Sequence, residues 1–320
     1  MQTDFAERVA LVTGAGGGLG RAYALELARR GARLVVNDLG GEAGRDGPAE
    51  AVAGEIRSAG GKALACVENI ATRAGGDAAV AAALAAFGRL DILIHNAGVL
   101  RHARFEEMGD ADIDAVIDVH LKGGFYVGQP AFAAMKRQGY GRVLLTASSS
   151  GLFGHPWQAS YAAAKAGLFG LANVIALEGK DRGVLCNVIM PTARTRMADQ
   201  VEFAWAAECR DVGAALAELR ELGSRGTGER LDPDWVAPLA VHLVSEACTT
   251  THGVFSASGG RFARVFVGAA EGWTAGARPS AEDIAAHWPQ IVDLAGYTEP
   301  LSVYDEAVQV RASLRRSGLA

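Results

Sequence analysis

The chain has 320 residues and 33.2 kDa, half of it hydrophobic and 21% charged, which is enough to bury a full core and too apolar for a disordered segment. A net charge of −5 with no basic stripe argues against nucleic acid as a partner. Cys66, Cys186, Cys209 and Cys248 form no C-x-x-C, so neither a zinc site nor a redox pair is expected, and no metal is.

In chain order, strand-like and helix-like segments alternate. Val9–Val12 reads as a strand, Leu19–Arg30 as a helix stopped by Gly31, Arg33–Asp38 as the second strand, Ala49–Ser58 as a helix and Lys62–Cys66 as a short strand. Gly76–Phe87 reads as a helix, Asp91–His95 as a buried strand, Asp110–Arg137 as one long helix and Gly141–Ala147 as a strand. Ala159–Glu178 is helical, Val184–Met190 extended, Asp232 caps a helix with Pro233 at its first position, and the last strand lies near Val254–Ala257. Such alternation with near-continuous apolar strands predicts an α/β fold, a doubly wound parallel sheet with helices on both faces.

Two domain-level features follow. Residues 1–260 form the expected sheet domain, with a substrate lid near 192–230, and residues 261–320 form a C-terminal extension packed on it. Met1–Phe5 has neither the basic nor the apolar region of a secretory signal, and the most apolar helix candidate, Ala78–Phe87, is too short for a bilayer. A cytoplasmic setting without a membrane partner is therefore expected.

The stretch TGAGGGLGRA, residues 13–22, sets five glycines between the first strand and first helix. Gly14 suits a tight turn, Gly18 a close approach to phosphates at the helix N-terminus beside Leu19, and Gly20 close helix–strand packing. Asp38, ending the second strand, stands where a carboxylate would bind the ribose hydroxyls of NAD and repel a 2′-phosphate; alternatively it caps the following turn.

Tyr161 and Lys165 are four residues apart, so they share one helix face, where an ammonium would lower the phenol pKa toward neutrality. A tyrosinate can take a hydroxyl proton while hydride leaves for a nicotinamide. Ser148, at the end of the preceding strand, would orient the substrate oxygen, with Ser149 and Ser150 as rivals.

Thr13–Gly20 as T-G-x-x-x-G-x-G, His95-Asn96-Ala97-Gly98 as a once-substituted N-N-A-G, and Tyr161-x-x-x-Lys165 together resemble the classical short-chain dehydrogenases/reductases. The resemblance implies a Rossmann sheet of about seven strands and catalysis by Ser148, Tyr161 and Lys165, with Lys165 also on the nicotinamide ribose. It implies cofactor contacts from Asn96, Ala97, Gly98 and Pro191, from Thr195 to the nicotinamide amide, and from Asn69 or Glu68 near the adenine. His120 replaces the asparagine that completes the family's catalytic tetrad; it either takes over that role or is a core histidine. The stretches GVLRHARFEEM, DVHLKGGFYV and YGRVLLTASSSGLFG are similar to the (3R)-hydroxyacyl-CoA dehydrogenase unit of the peroxisomal multifunctional enzymes type 2, a lineage that shares this histidine.

That narrower likeness implies an NAD-dependent dehydrogenase of a secondary alcohol, with a (3R)-hydroxyacyl-CoA as its small-molecule substrate. Phe153, His155, Trp157 and Gln158 would line the substrate entrance, with ordinary packing the alternative for Phe153 and Trp157. Arg194 and Arg196 meet CoA phosphates or are solvated lid residues. A hydroxysteroid or other bulky alcohol dehydrogenase and a non-catalytic NAD-sensing protein are the rival readings. Ala131, Ala133, Ala134, Leu168 and Leu171 form either a homodimer or homotetramer interface or core.

Overall fold

A computed structural model describes residues 4–39, 47–195, 197, 204–210, 213–214 and 229–318. Eight strands build one sheet: β1 (Val9–Thr13), β2 (Arg33–Asn37), β3 (Lys62–Cys66), β4 (Ile92–His95), β5 (Gly141–Thr146), β6 (Val184–Thr192), β7 (Val254–Ser258) and β8 (Arg261–Val265). Their order is β3-β2-β1-β4-β5-β6-β7-β8, and every pairing from β3 through β7 is parallel. The apolar run VALVT of β1 is buried at all five positions, as a strand covered on both faces must be. Leu11 pairs in register with Val35 on one side and Leu93 on the other. The order reverses between β1 and β4, and a doubly wound sheet opens a crevice at that point, beyond the carboxyl ends of its strands.

Helices α1 (Gly18–Arg29), α2 (Pro48–Ser58), α3 (Arg73–Phe87), α4 (Asp110–Ile117), α5 (Gly123–Gln138), α6 (Ser149–Phe153), α7 (Ala159–Gly179) and α8 (Ala237–Leu243) complete this body. Three features differ from the sequence reading. The expected single helix from Asp110 is broken by a π turn at Asp118–Lys122, which apolar periodicity does not register. Gly259 and Gly260, both at positive φ (57° and 85°), turn the chain into an eighth strand. Asp232 caps a 3-10 turn, Pro233–Trp235, rather than the helix itself.

Among the described residues the most apolar long helix is α7, not Ala78–Phe87. Ala159–Arg182 has mean hydropathy 1.3 and is long and apolar enough to cross a membrane by composition. Here it packs on β6, burying Ala164, Leu168, Ala172, Ile175 and Ala176 at helical spacing. Ala131, Ala134 and Leu168 are therefore core residues, Leu171 is half-buried and Ala133 exposed, and Phe125, Val174 and Leu177 are exposed large apolar side chains of α5 and α7.

The chain divides into two compact units, Met1–Arg264 and Val265–Ala320. The second holds α9 (Ala281–Ala286), α10 (Trp288–Ile291) and α11 (Val303–Arg316). A capping box between Ser280 and Asp283 starts α9, Ser302 caps α11, and Trp273 stacks on His287 with ring centroids 3.9 Å apart.

Candidate active site

The crevice is a cleft of about 670 Å³ at the carboxyl ends of the strands. The glycine turn forms its floor. Gly14 and Gly18 take φ of +63° and +51°, a region that suits glycine. A Cβ on Gly14 would lie 2.7 Å from the Ala97 Cα, and one on Gly20 only 2.1 Å from the Gly14 oxygen. Gly17, which caps α1, offers no side chain to the helix, so the first N–H groups keep their capacity for an anion. Thr195 lies over Gly18, whose Cβ would stand 3.2 Å from the Thr195 methyl. This glycine cradle at an uncapped helix end fits a dinucleotide.

Asp38 has a structural task as well as a place in the cleft. Its Oδ2 accepts from the Gly16 N–H at 2.9 Å, which braces the glycine turn. Asn96 ties the same turn from the other side, donating through Nδ2 to the oxygens of Thr13 (3.3 Å) and Gly14 (3.2 Å). Ala97 and Gly98 line the cleft beside it, as do Leu19, Glu68, Asn69 and Pro191. The Asn69 Oδ1 accepts from the Ala71 N–H at 3.0 Å, closing a local turn.

Ser148 follows β5 and caps α6, its Oγ accepting from the Ser150 N–H at 3.2 Å. Ser150 Oγ instead donates to Gln158 Oε1 at 3.1 Å. Ser148 is the serine whose hydroxyl acts on the Tyr161 phenol, and both side chains line the cleft. Lys165, one helical turn on and 3% exposed, donates from Nζ to the Thr146 carbonyl at 2.5 Å. Its Nζ lies 5.5 Å from the Tyr161 ring centroid.

The electrostatics differ from the sequence expectation. Burial pushes the Tyr161 phenol up, with the Ser148 hydrogen bond opposing it. Burial also pushes Lys165 down to about 7, because its ammonium loses hydration. The same burial that brings the pair together weakens the positive charge meant to depress the phenol.

His120 is fully buried, lines the cleft, and meets the Tyr161 ring edge-on. Its Nε2 lies 2.7 Å from the Val99 oxygen and 3.0 Å from the Val99 nitrogen. Burial holds it well below the ordinary histidine range, so the ring is neutral at pH 7. His95 is likewise pushed down to about 4 by burial.

At the substrate end, His155 and Gln158 line the cleft. Phe153 and Trp157 do not: Phe153 is 71% exposed, and Trp157, at φ +64°, lies under the Arg104 guanidinium. Arg104 and Glu208 form an ion pair, and buried Trp205 packs on His155 with centroids 5.2 Å apart. Arg194 is exposed, with its N–H donating to the Leu231 oxygen at 2.6 Å. Arg196 and most of the expected lid at 192–230 lie outside the described residues.

Residues the sequence reading passed over are Asn37, His95, Arg101, Thr146 and Trp205. Asn37 Nδ2 donates to the oxygens of Cys66 (3.1 Å) and Glu68 (2.9 Å), fixing the wall beside Asn69. Only His95 carried a signal, as the one departure from N-N-A-G. Among the described residues no group of three or more His, Cys, Asp or Glu is placed to hold a metal ion.

The short chain dehydrogenase family profile matches residues 8–204. A short-chain type dehydrogenase/reductase of Mycobacterium tuberculosis is 40% identical over 91% of this chain and 96% of its own length. A hydroxyacyl-CoA dehydrogenase of the same organism is 38% identical over 78% of this chain and 77% of its own. The mouse peroxisomal multifunctional enzyme type 2 is 38% identical over 94% of this chain but only 39% of its own length. The solved full-length Drosophila melanogaster enzyme of that name superposes with a TM-score of 0.77 at 30% identity, covering 98% of this chain and 50% of that one. The chain thus spans half or less of those multifunctional enzymes.

Proposed function

The chain belongs to the short-chain dehydrogenase family, a family of oxidoreductases, and on that premise we propose that it oxidises the hydroxyl of a (3R)-3-hydroxyacyl-CoA with NAD as acceptor. The observation that carries this reading is the convergence of Ser148, Tyr161 and Lys165 on the cleft whose far end is the glycine turn. The hydroxyacyl-CoA dehydrogenase relative supports the substrate class. Asp38 at the cleft edge supports NAD over NADP, since its carboxylate would repel a 2′-phosphate.

The chain's residues divide the work. Ser148 donates a hydrogen bond to the substrate oxygen and holds it against Tyr161. Tyr161, once deprotonated, would take the hydroxyl proton, and the protonated form of Lys165, which burial disfavours, would stabilise that phenolate. His120 packs the phenol ring from its edge. Gly14, Gly18, Asn96 and Thr195 would hold the dinucleotide, which would supply a hydride acceptor there. The reading includes a homodimer or homotetramer, supported by the exposed Phe125, Val174 and Leu177 on α5 and α7.

NADH formation with each enantiomer of a 3-hydroxyacyl-CoA tests the proposal. Turnover of the R form alone supports it. Turnover of a hydroxysteroid with neither thioester enantiomer used would refute the substrate assignment.

A further inference from the structure

Thr13 Oγ accepts two hydrogens, from the N–H of Asn96 at 3.0 Å and of Ala97 at 3.1 Å. A hydroxyl has two lone pairs and one proton, so the Thr13 proton is left for His95 Nδ1 at 3.2 Å. His95 Nδ1 therefore accepts, and the neutral ring carries its own proton on Nε2. That N–H donates to the carbonyl oxygen of His120 at 2.8 Å. One tautomer of a side chain that is 1% exposed satisfies every group it touches.

The carbonyl it reaches lies inside the π turn Asp118–Lys122. A π turn is a local insertion in a helix, and it persists where something outside the helix takes up the displaced backbone group. The ring of the same His120 stands against Tyr161. Thr13 immediately precedes Gly14, so the connections run from the cofactor floor through His95 to the π turn, and from there to the phenol. An asparagine at this position, as N-N-A-G carries, ends its amide near the place of Nδ1 and falls short of the His120 carbonyl.

We propose that His95 is a positioning residue: its Nε2–H bond to the His120 carbonyl holds the π turn in the register that sets the Tyr161 phenol against Ser148. The kinetic part of the test rests on the dehydrogenase reading, and the spectroscopic part does not.

Long-range proton–nitrogen NMR of the ¹⁵N-labelled histidine rings, with H95Q for assignment, reads the tautomer directly. A neutral His95 with its proton on Nε2 is expected; a proton on Nδ1 overturns the proposal. In kinetics, H95N should lower kcat about tenfold, equivalent to about 1.4 kcal/mol on the barrier, with the NADH Kd unchanged. H95Q, which keeps an N–H near the position of Nε2, should recover most of the loss. An H95N enzyme with unaltered kcat overturns the proposal, as does loss of NADH affinity in step with kcat, which marks a collapsed floor. If H95N does not fold, H95Q is compared with H95M, and equal kcat in the two overturns it. A wild-type enzyme that binds NADH but turns over no hydroxyacyl-CoA refutes the substrate reading, and the tautomer result then decides on His95 by itself.

Discussion

The imidazole of His120 meets the phenol of Tyr161 edge-on, ring centroids 5.2 Å apart and planes at 90°. Aromatic pairs favour this geometry, and here it presses a buried, neutral ring against the residue proposed as the base. His120, which the family resemblance sets at the place of an asparagine, reaches Val99 through its side chain and His95 through its backbone.

Replacing His120 by Asn removes that ring and leaves a gap in a fully buried site. Stability should fall by about 1–3 kcal/mol in thermal or urea unfolding, and kcat should fall about tenfold, about 1.4 kcal/mol on the barrier. A lower Tm with kcat intact would make His120 a packing residue and nothing more.

Lys165 titrates at about 7 in the folded chain and at 10.5 when free. Between those values the unfolded chain binds the extra proton, so stability rises with pH across the window. The cost of burying a charged Lys165 is fully present below pH 7 and gone above 10.5. Melts of nucleotide-free protein should therefore show a positive slope of Tm with pH above neutrality that Lys165→Met lacks. Parallel curves for the two proteins would contradict the assignment.

The glycine turn and α5 offer a matched pair. Gly20→Ala would drive a Cβ to 2.1 Å from the Gly14 oxygen, with an expected loss on the order of 1–3 kcal/mol and weaker nucleotide binding. Gly128→Ala meets nothing within 4 Å inside α5 and should stabilise by about 1 kcal/mol through helix propensity. Denaturant midpoints check both, and a neutral Gly20→Ala would remove the packing argument for that glycine.

Much of this was legible in letters because the signals were local. The Tyr161–Lys165 spacing, the glycine turn and β1 through β7 each depend on residues within a turn or two of one another. What escaped depended on distance or on orientation. His95 meets Thr13 from 82 positions away, and no pattern of one strand reports its partner on another. The π turn at Asp118–Lys122 leaves the apolar spacing of a helix almost unaltered. Phe153 and Trp157 had the composition of a pocket lining, but the turn geometry between α6 and α7 decides which way they face. Burial of Tyr161 itself reversed the expected direction for its phenol, since spacing says that two side chains are near and not how much water they lose.

Asp38 offers a test of cofactor choice. Asp38→Asn keeps an oxygen for the Gly16 N–H but removes the charge that would repel a 2′-phosphate. The ratio of kcat/KM for NAD over NADP should fall about tenfold, equivalent to about 1.4 kcal/mol. An unchanged ratio would confine Asp38 to bracing the glycine turn.

The Tyr161 phenol is the proposed base of this cleft, and Tyr161→Phe is the sharpest test of that role. Steady-state turnover of a (3R)-3-hydroxyacyl-CoA should fall by about 10²–10⁴-fold, the range a positioned general base supplies, while NADH binding measured by fluorescence stays at the wild-type level. A Tyr161→Phe enzyme that binds NADH and turns over at the wild-type rate would contradict the claim.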